Sequence, residues 1–119
     1  MDGFRIEEVT PCGNGQYAVT DGEGCVWLFP GEVVYLFGLG DGMETTATEF
    51  CQAAVAGSLF FAWRALVGLL ATRMKPRPEL DKILADLGHG RNDRAIVLDL
   101  AELSGRLDDV AFARNLLEI

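Results

Sequence analysis

Residues 44–74 read ETTATEFCQAAVAGSLFFAWRALVGLLATRM, and this apolar stretch predicts the element around which the fold is arranged. Pro76 and Pro78 follow it, and prolines end a helix because they lack the backbone N–H donor. Apolar side chains occur all around the helical circumference, so no wide polar face remains. The sequence predicts one long helix over 44–74, or two helices broken near Gly57 or Gly68, buried on nearly all sides.

The same stretch raises the question of a membrane span, because Ala53–Thr72 is apolar except for Arg64. A charge at mid-span costs about 2.5–3.5 kcal/mol on insertion scales. The uninterrupted runs 53–63 and 65–72 are shorter than the roughly 18 residues of a span. A membrane-associated protein is therefore the third interpretation. We expect a core helix in which Arg64 meets a buried acceptor or reaches solvent past small residues.

A stripe of small residues with one long cation follows one side of this helix. Small residues permit close approach of two backbones, and a short chain has little surface with which to surround such a helix. We therefore expect a homodimer through Gly57, Arg64 and Gly68. The stripe consists of Ala53, Gly57, Arg64, Gly68 and Ala71.

The residues before the helix predict a β-meander over 4–37, because β-branched and aromatic runs alternate there with turn residues. Asn14-Gly15 is a strong signal for a two-residue hairpin, since both positions of a type I′ turn need a positive φ. The last run is the most apolar and predicts a central or covered strand. The predicted strands are Phe4–Val9, Gln16–Thr20, Cys25–Phe29 and Glu32–Phe37.

The residues after Pro78 predict a helical C-terminal part over 78–119. Three segments have apolar residues at helical spacing and are predicted helices: Glu79–Leu87, Asp93–Ser104 and Leu107–Glu118. Residues 95–100 also fit a buried strand. The fold class is therefore α+β in a single domain over 1–119. It combines an N-terminal antiparallel sheet of three or four strands, a long buried central helix and two or three C-terminal helices.

The charge of the chain limits its partners. The 119 residues include 18 acidic and 10 basic side chains, for a net charge of -8. Residues 1–42 have seven acids and one base, whereas 43–77 carry a net +2 and 78–119 a net -4. A strongly acidic surface opposes direct binding to nucleic acid and to anionic membranes. We therefore expect a basic protein as the partner.

Three cysteines, Cys12, Cys25 and Cys51, are an odd set in a chain that shows no signal peptide at its start. With the turns as predicted, Cys12 lies opposite Tyr17 and Cys25 opposite Thr20, too far apart for a disulfide. We expect free thiols in a cytoplasmic protein, with Cys25 and Cys51 as ordinary small hydrophobic residues. These thiols and the one histidine have no metal-ligand spacing, so no metal is predicted.

Other sequence signals for catalysis or cofactor binding are weak. The glycine-rich run 38–42 lacks the spacing of a nucleotide-binding loop, and Asp41 and Glu44 would repel a phosphate there. His89 is the sole imidazole, in a glycine-flanked loop, and no nucleophile is tied to it. We predict no cofactor and no catalytic residue, and an enzyme is the less favoured class.

The acidic N-terminal sheet also carries aromatic residues, a combination that suits a specific protein interface. The sequence predicts a small acidic protein-binding module, such as an inhibitor or immunity-type protein that neutralises a basic partner. The alternative is a small-molecule-binding or oligomeric accessory protein with a pocket between the long helix and the sheet. The predicted partner-binding residues are Glu7, Glu8, Asp21, Glu23 and Trp27.

Overall fold

The computed structural model describes residues 3–107, and it confirms the predicted α+β class. An antiparallel four-stranded sheet at the N-terminus is followed by a long helix and further helices. The predicted helix Leu107–Glu118 lies outside the described residues apart from Leu107. The elements are β1 (Gly3–Gly13), β2 (Gln16–Asp21), β3 (Val26–Pro30), α1 (Gly31–Phe37), β4 (Glu44–Thr46), α2 (Ala47–Thr72), α3 (Arg77–Asp86) and α4 (Arg91–Leu103).

The chain groups into two compact units, Met1–Ser58 and Leu59–Ile119. The first unit contains the sheet, α1 and the first part of α2, and the second contains the rest of α2 with α3 and α4. Helix α2 is continuous through the boundary. A single domain over 1–119 stays a prediction.

The sheet has the strand order β3-β2-β1-β4, so β3 and β4 are its edges. The predicted hairpin turn is confirmed, because Asn14 and Gly15 have φ values of 56° and 71° and Gly13 pairs with Gln16. Both φ values lie in the left-handed region that a type I′ turn requires. The sequence therefore located the first reversal of the chain correctly.

The predicted register is wrong by one residue in both hairpins. Tyr17 pairs with Pro11, because the ladder is irregular just before Gly13. Thr20 pairs with Val26, since the turn between β2 and β3 is one residue longer than predicted. The three thiols are nevertheless free, as predicted, and all three are exposed.

The predicted strand Glu32–Phe37 is wrong, because these residues form helix α1. A short apolar run has no periodicity that separates a strand from a helix. In the helix, Val33 and Val34 are buried, whereas Tyr35 and Leu36 are exposed. Gly38, with a φ of 65°, ends the helix in the left-handed conformation that only glycine adopts at little cost.

The start of the long helix also differs from the prediction. Residues 44–46 form β4, which pairs with the beginning of β1, and α2 begins at Ala47. The Oγ1 atom of Thr46 accepts a hydrogen bond from the backbone N–H of Glu49 at 3.1 Å. This helix cap places the boundary three residues later than the acidic and hydroxyl residues alone suggested. The helix then continues to Thr72 without a break at either glycine.

Helix α2 is not buried on nearly all sides, which corrects the prediction. Most of its apolar side chains are half-buried, and Val55 is exposed. By length and composition α2 is the one helix among residues 3–107 that is able to cross a membrane. Core helices of soluble proteins pass the same test, so this is weak evidence for a span. The buried positions on α2 are Phe50, Ala53, Gly57, Ala62 and Leu66.

The second unit is built on an apolar core between helices. Helices α3 and α4 each begin two residues earlier than predicted. Residues 95–100 lie in α4, so the favoured helix is confirmed and the alternative strand is wrong. Arg77 of α3 holds α4 through ion pairs to Asp99 at 2.8 Å and to Glu102 at 3.0 Å. The core consists of Ala62, Leu66, Leu80, Leu84, Val97, Leu98, Ala101 and Leu107.

The two mid-helix glycines of α2 provide a matched test of this packing. A Cβ on Gly57 would lie 3.2 Å from Cδ1 of Phe29, whereas a Cβ on Gly68 would meet nothing within 4 Å. We expect Gly57→Val to lower the free energy of unfolding by about 1–3 kcal/mol, because the added methyl groups force the ring aside. Gly68→Val should change it by less than about 0.5 kcal/mol. Urea unfolding measures both values, and equal losses would contradict the close contact at Gly57.

Candidate functional site

Three of the five predicted partner-binding residues meet at the turn between β2 and β3. The Oδ1 atom of Asp21 accepts hydrogen bonds from the backbone N–H groups of Glu23 at 2.9 Å and Cys25 at 3.0 Å. Its Oδ2 atom accepts a bond from the indole N–H of Trp27 at 3.1 Å. Asp21 is only 6% exposed, so its carboxylate orders the turn and is not available at the surface.

These hydrogen bonds also set the ionisation of Asp21. The indole N–H of Trp27 lowers the pKa of the carboxyl below its ordinary value, against the opposing effect of desolvation. The backbone N–H groups of Glu23 and Cys25 act in the same direction as the indole. Donors directed at a carboxylate favour the charged form, so the folded state prefers ionised Asp21.

Trp27 is the aromatic member of this group, and it is 41% exposed. Its ring meets the ring of Phe50 edge to face at a centroid distance of 5.2 Å, while its N–H is held by Asp21. Two independent contacts therefore fix the side chain. A partly exposed, immobilised tryptophan is a typical anchor of protein interfaces.

The remaining two predicted residues lie on β1, at an irregularity that follows Ile6. Glu7 forms an ion pair with Arg5 at 2.9 Å. The guanidinium of Arg5 also lies 3.9 Å from the carboxylate of Glu44. Glu8 accepts a hydrogen bond from the hydroxyl of Thr10 at 3.0 Å, and both are exposed. Glu8 therefore keeps an exposed carboxylate, whereas Glu7 is partly neutralised by the one basic residue of the first unit.

The division into units sharpens the charge pattern. Residues 1–58 contain nine acidic side chains and one basic side chain, so they carry a net charge of -8. Residues 59–119 contain nine of each and are neutral overall. The entire net charge of the protein belongs to the unit that contains the sheet. The electrostatic field of the protein at long range therefore arises mainly from the first unit.

Only part of the small-residue stripe on α2 is exposed, so the whole stripe cannot form a dimer surface. Gly57 is buried within the first unit, against the side chains of Phe29 and Pro30, which corrects its predicted role in a dimer. Gly68 is exposed, and Arg64 is exposed with its guanidinium 4.9 Å from the ring centroid of Phe60. Arg64 therefore reaches solvent, which is one of the two predicted environments. A homodimer through Arg64 and Gly68 stays a prediction.

A surface pocket of 340 Å³ lies where α1, β4 and the start of α2 meet. Its lining is mixed, because apolar residues such as Phe37 and Phe50 alternate with the polar residues Thr45, Glu49 and Gln52. The glycine-rich loop beside it does not present a phosphate site, because Asp41 accepts a hydrogen bond from the N–H of Val9 at 2.6 Å. The loop closes the outer side of β1.

A second groove, of 410 Å³, lies between α3 and α4 and is lined by Arg77, Arg91 and Arg94. Hydrogen bonds to Glu102 and then Asp99 raise the pKa of Arg77, which therefore stays charged. Arg94 donates to Asp81 at 2.9 Å. Two of the three arginines therefore bind carboxylates of the same unit and join α3 to α4.

Among residues 3–107, no three histidine, cysteine, aspartate or glutamate side chains are grouped so as to hold a metal ion. His89 is half-buried and lies shortly after the end of α3. Its backbone N–H donates to the carbonyl of Leu84 at 3.1 Å. Its own carbonyl accepts a bond from Arg94 at 2.6 Å. The backbone of His89 thus takes part in helix termination.

The outer side of β3, where Val26 and Leu28 are exposed, was not predicted from the sequence. The missed signal is that this strand, unlike an ordinary half-buried strand, has apolar residues on both faces. The predicted strand over 32–37 implied that the outer edge of β3 was paired, because a fourth consecutive strand would have covered that edge.

Comparison with known proteins identifies the fold. No protein-family model matches the chain. No curated protein matches it either. The crystal structure of a regulatory protein, RecX, is similar, with a TM-score of 0.68 and 17% sequence identity over 97% of this chain. The chain spans 57% of the length of that structure.

At this level of identity the likeness shows the fold alone. The protein with the similar fold is a regulatory protein, and this finding overturns the prediction of an inhibitor or immunity-type protein. The accessory-protein alternative, with a ligand pocket between helix and sheet, is not supported by it either.

Asp21 allows a test of the turn through pH. Its folded pKa lies below the ordinary value of 3.8, so its contribution to stability is complete above that pH. That contribution is lost as the pH falls through the lower folded pKa. We expect Asp21→Asn to be less stable than the wild type at pH 7, and the difference to shrink at lower pH. Urea unfolding, monitored by tryptophan fluorescence, measures the free energy of unfolding of both proteins at each pH.

The matched control is Glu23→Gln, which removes an exposed carboxylate from the same turn and leaves the hydrogen bonds of Asp21 in place. This variant should keep wild-type stability at both pH values. A stability difference for Asp21→Asn that does not change with pH would show that shape rather than ionisation stabilises the turn.

Proposed function

We propose that this protein is a cytoplasmic regulatory protein that acts by binding a basic protein partner through its acidic first unit. The observation that carries the proposal is the separation of charge, with the full net charge of -8 in residues 1–58. The likeness of the fold to a regulatory protein supports a binding role rather than a catalytic one. The three exposed free thiols are consistent with a reducing compartment.

The distribution of carboxylates within the first unit supports electrostatic attraction of the partner. Glu8 and Glu23 are exposed and lie toward the same end of the sheet, because Glu8 pairs with Thr20 near the end of β2 and Glu23 lies in the turn that follows β2. Long-range attraction between complementary charges raises association rates and weakens as salt increases. The acidic surface therefore determines which partner approaches, and the tryptophan beside it supplies apolar contact area.

The proposal is tested with two pairs of charge-neutralising substitutions of equal size. Glu8→Gln with Glu23→Gln removes two exposed carboxylates from the acidic unit, and Glu79→Gln with Asp86→Asn removes two from the neutral unit. The partner is captured from the source cell, identified by mass spectrometry and purified. Association rates of each variant are then measured at rising salt by surface plasmon resonance.

We expect the first pair to slow association about threefold at low salt, and the difference to disappear as the Debye length falls below about 10 Å. The second pair should leave the association rate within error of the wild type. Equal effects of both pairs would reduce the interaction to net charge alone. A partner with an acidic surface, or rates that do not depend on salt, would overturn the proposal.

A further inference from the structure

Among residues 3–107, no strand pairs with the outer edge of β3, so this edge is open within the described structure. Antiparallel strands bond through alternate residues, so the bonds at the two ends of the β2-β3 pair establish which residues face inward. The N–H of Asp21 donates to the carbonyl of Cys25 at 2.9 Å, and the N–H of Gly31 donates to the carbonyl of Gly15 at 2.7 Å. Trp27 and Phe29 therefore bond to β2. The backbone N–H and carbonyl groups of Val26 and Leu28 point away from the sheet.

Exposure of the side chains agrees with this assignment. Val26 is 63% exposed and Leu28 is 59% exposed, so no other described residue covers them. Their side chains lie on one face of the sheet, and Trp27 lies on the other. A bound strand would therefore find apolar contacts on both faces beside two residues with unpaired backbone groups.

On the opposite side of the sheet, the outer backbone groups of β1 that lie beyond β4 are paired with the loop before β4. The N–H of Ile6 donates to the carbonyl of Met43 at 2.8 Å, and the N–H of Val9 donates to the carboxylate of Asp41 at 2.6 Å. Strand β4 itself is only three residues long. Natural proteins usually protect edge strands in such ways, because an unprotected edge pairs with other chains. On β3 the protection is limited to Pro30, which has no N–H.

Charge selects the occupant of the open edge. A second copy of this chain would bring two units of net charge -8 together, which opposes pairing of two β3 edges. An acidic segment is opposed for the same reason. Glu23 lies in the turn that leads into β3, and Glu8 lies in the same row across the sheet as Thr20 and Val26. Glu23 therefore lies next to the apolar edge, and Glu8 lies in the same row two strands away, so both attract a bound segment that carries positive charge.

We propose that the free edge of β3 accepts an extended segment of the partner protein, rich in lysine or arginine with alternate apolar residues, as a fifth strand. Backbone hydrogen bonds to Val26 and Leu28 supply affinity, as in other proteins that bind peptides by strand addition. The inference rests on the proposed function, because it names the surface through which the acidic unit would hold its partner.

The probe is an acetylated, amidated nonapeptide of alternating lysine and valine. Its first control is a glutamate and valine peptide of the same pattern. Its second control is the lysine peptide with two adjacent central amides N-methylated, which blocks both hydrogen-bonding edges. Binding is followed by amide hydrogen exchange, residue by residue, with saturating peptide. We expect exchange at Val26 and Leu28 to slow about tenfold or more with the lysine peptide only.

The protein variants are Leu28→Pro, which removes an outward-facing N–H without affecting the bonds to β2, and Leu28→Thr as the matched control. Leu28→Pro should abolish protection at Val26, and Leu28→Thr should retain it. Equal binding of the N-methylated peptide, or protection at other residues only, would overturn the inference. If Leu28→Pro does not fold, the peptide controls alone still test the inference.

The same variants separate this inference from the proposed function. With the purified partner, loss of binding in Leu28→Pro but not in the Glu8 and Glu23 pair would support the edge and overturn the electrostatic proposal. Loss in the charge pair with unchanged binding by Leu28→Pro and Leu28→Thr would overturn the edge and support the proposed function.

Discussion

The first unit depends on the contact between one side of α2 and the aromatic residues of the sheet. The ring of Phe50 stacks on Phe4 at 4.3 Å and meets Trp27 and Phe29 edge to face at 5.2 and 5.5 Å. Two turns further along the helix, Gly57 leaves room for Phe29. Rings from two different strands thus converge on one helical residue, and the glycine allows the helix backbone to approach them.

This packing explains the arrangement of the surface residues. Because the face of Trp27 toward the helix is occupied by Phe50, its exposed part remains at the edge of the sheet, and Asp21 prevents it from rotating. The same carboxylate satisfies two backbone N–H groups of the turn, which keeps a buried charge fully hydrogen-bonded. The acids predicted from surface charge therefore include one that is structural, Asp21, and others that remain exposed.

The difference between residues 32–37 as a strand and as a helix has consequences for function as well as fold. As a strand, this segment would have extended the meander and covered β3. As helix α1 it buries Val33 and Val34 and leaves the neighbouring strand edge open. Both conformations bury apolar side chains, and the run is too short for its periodicity to choose between them. The selection comes from packing against the rest of the unit and from the glycine that ends the helix.

The sequence by itself determined the features that depend on neighbouring residues. These are the hairpin at Asn14-Gly15, the long apolar helix, the two helices that follow it, the α+β class and the acidity of the N-terminal part. Turn chemistry, helical spacing and charge are local properties, so they can be recognised without a structure.

Tertiary structure alone decided which side of α2 is buried, which sheet edge is open and which predicted acid is buried. Each of these depends on contacts between residues distant in sequence. The separation of charge into an acidic and a neutral unit likewise became visible only when the boundary at Ser58 was known, because composition does not show where a chain divides. The open edge of β3 is the clearest case, since it exists only because the following segment coils into a helix.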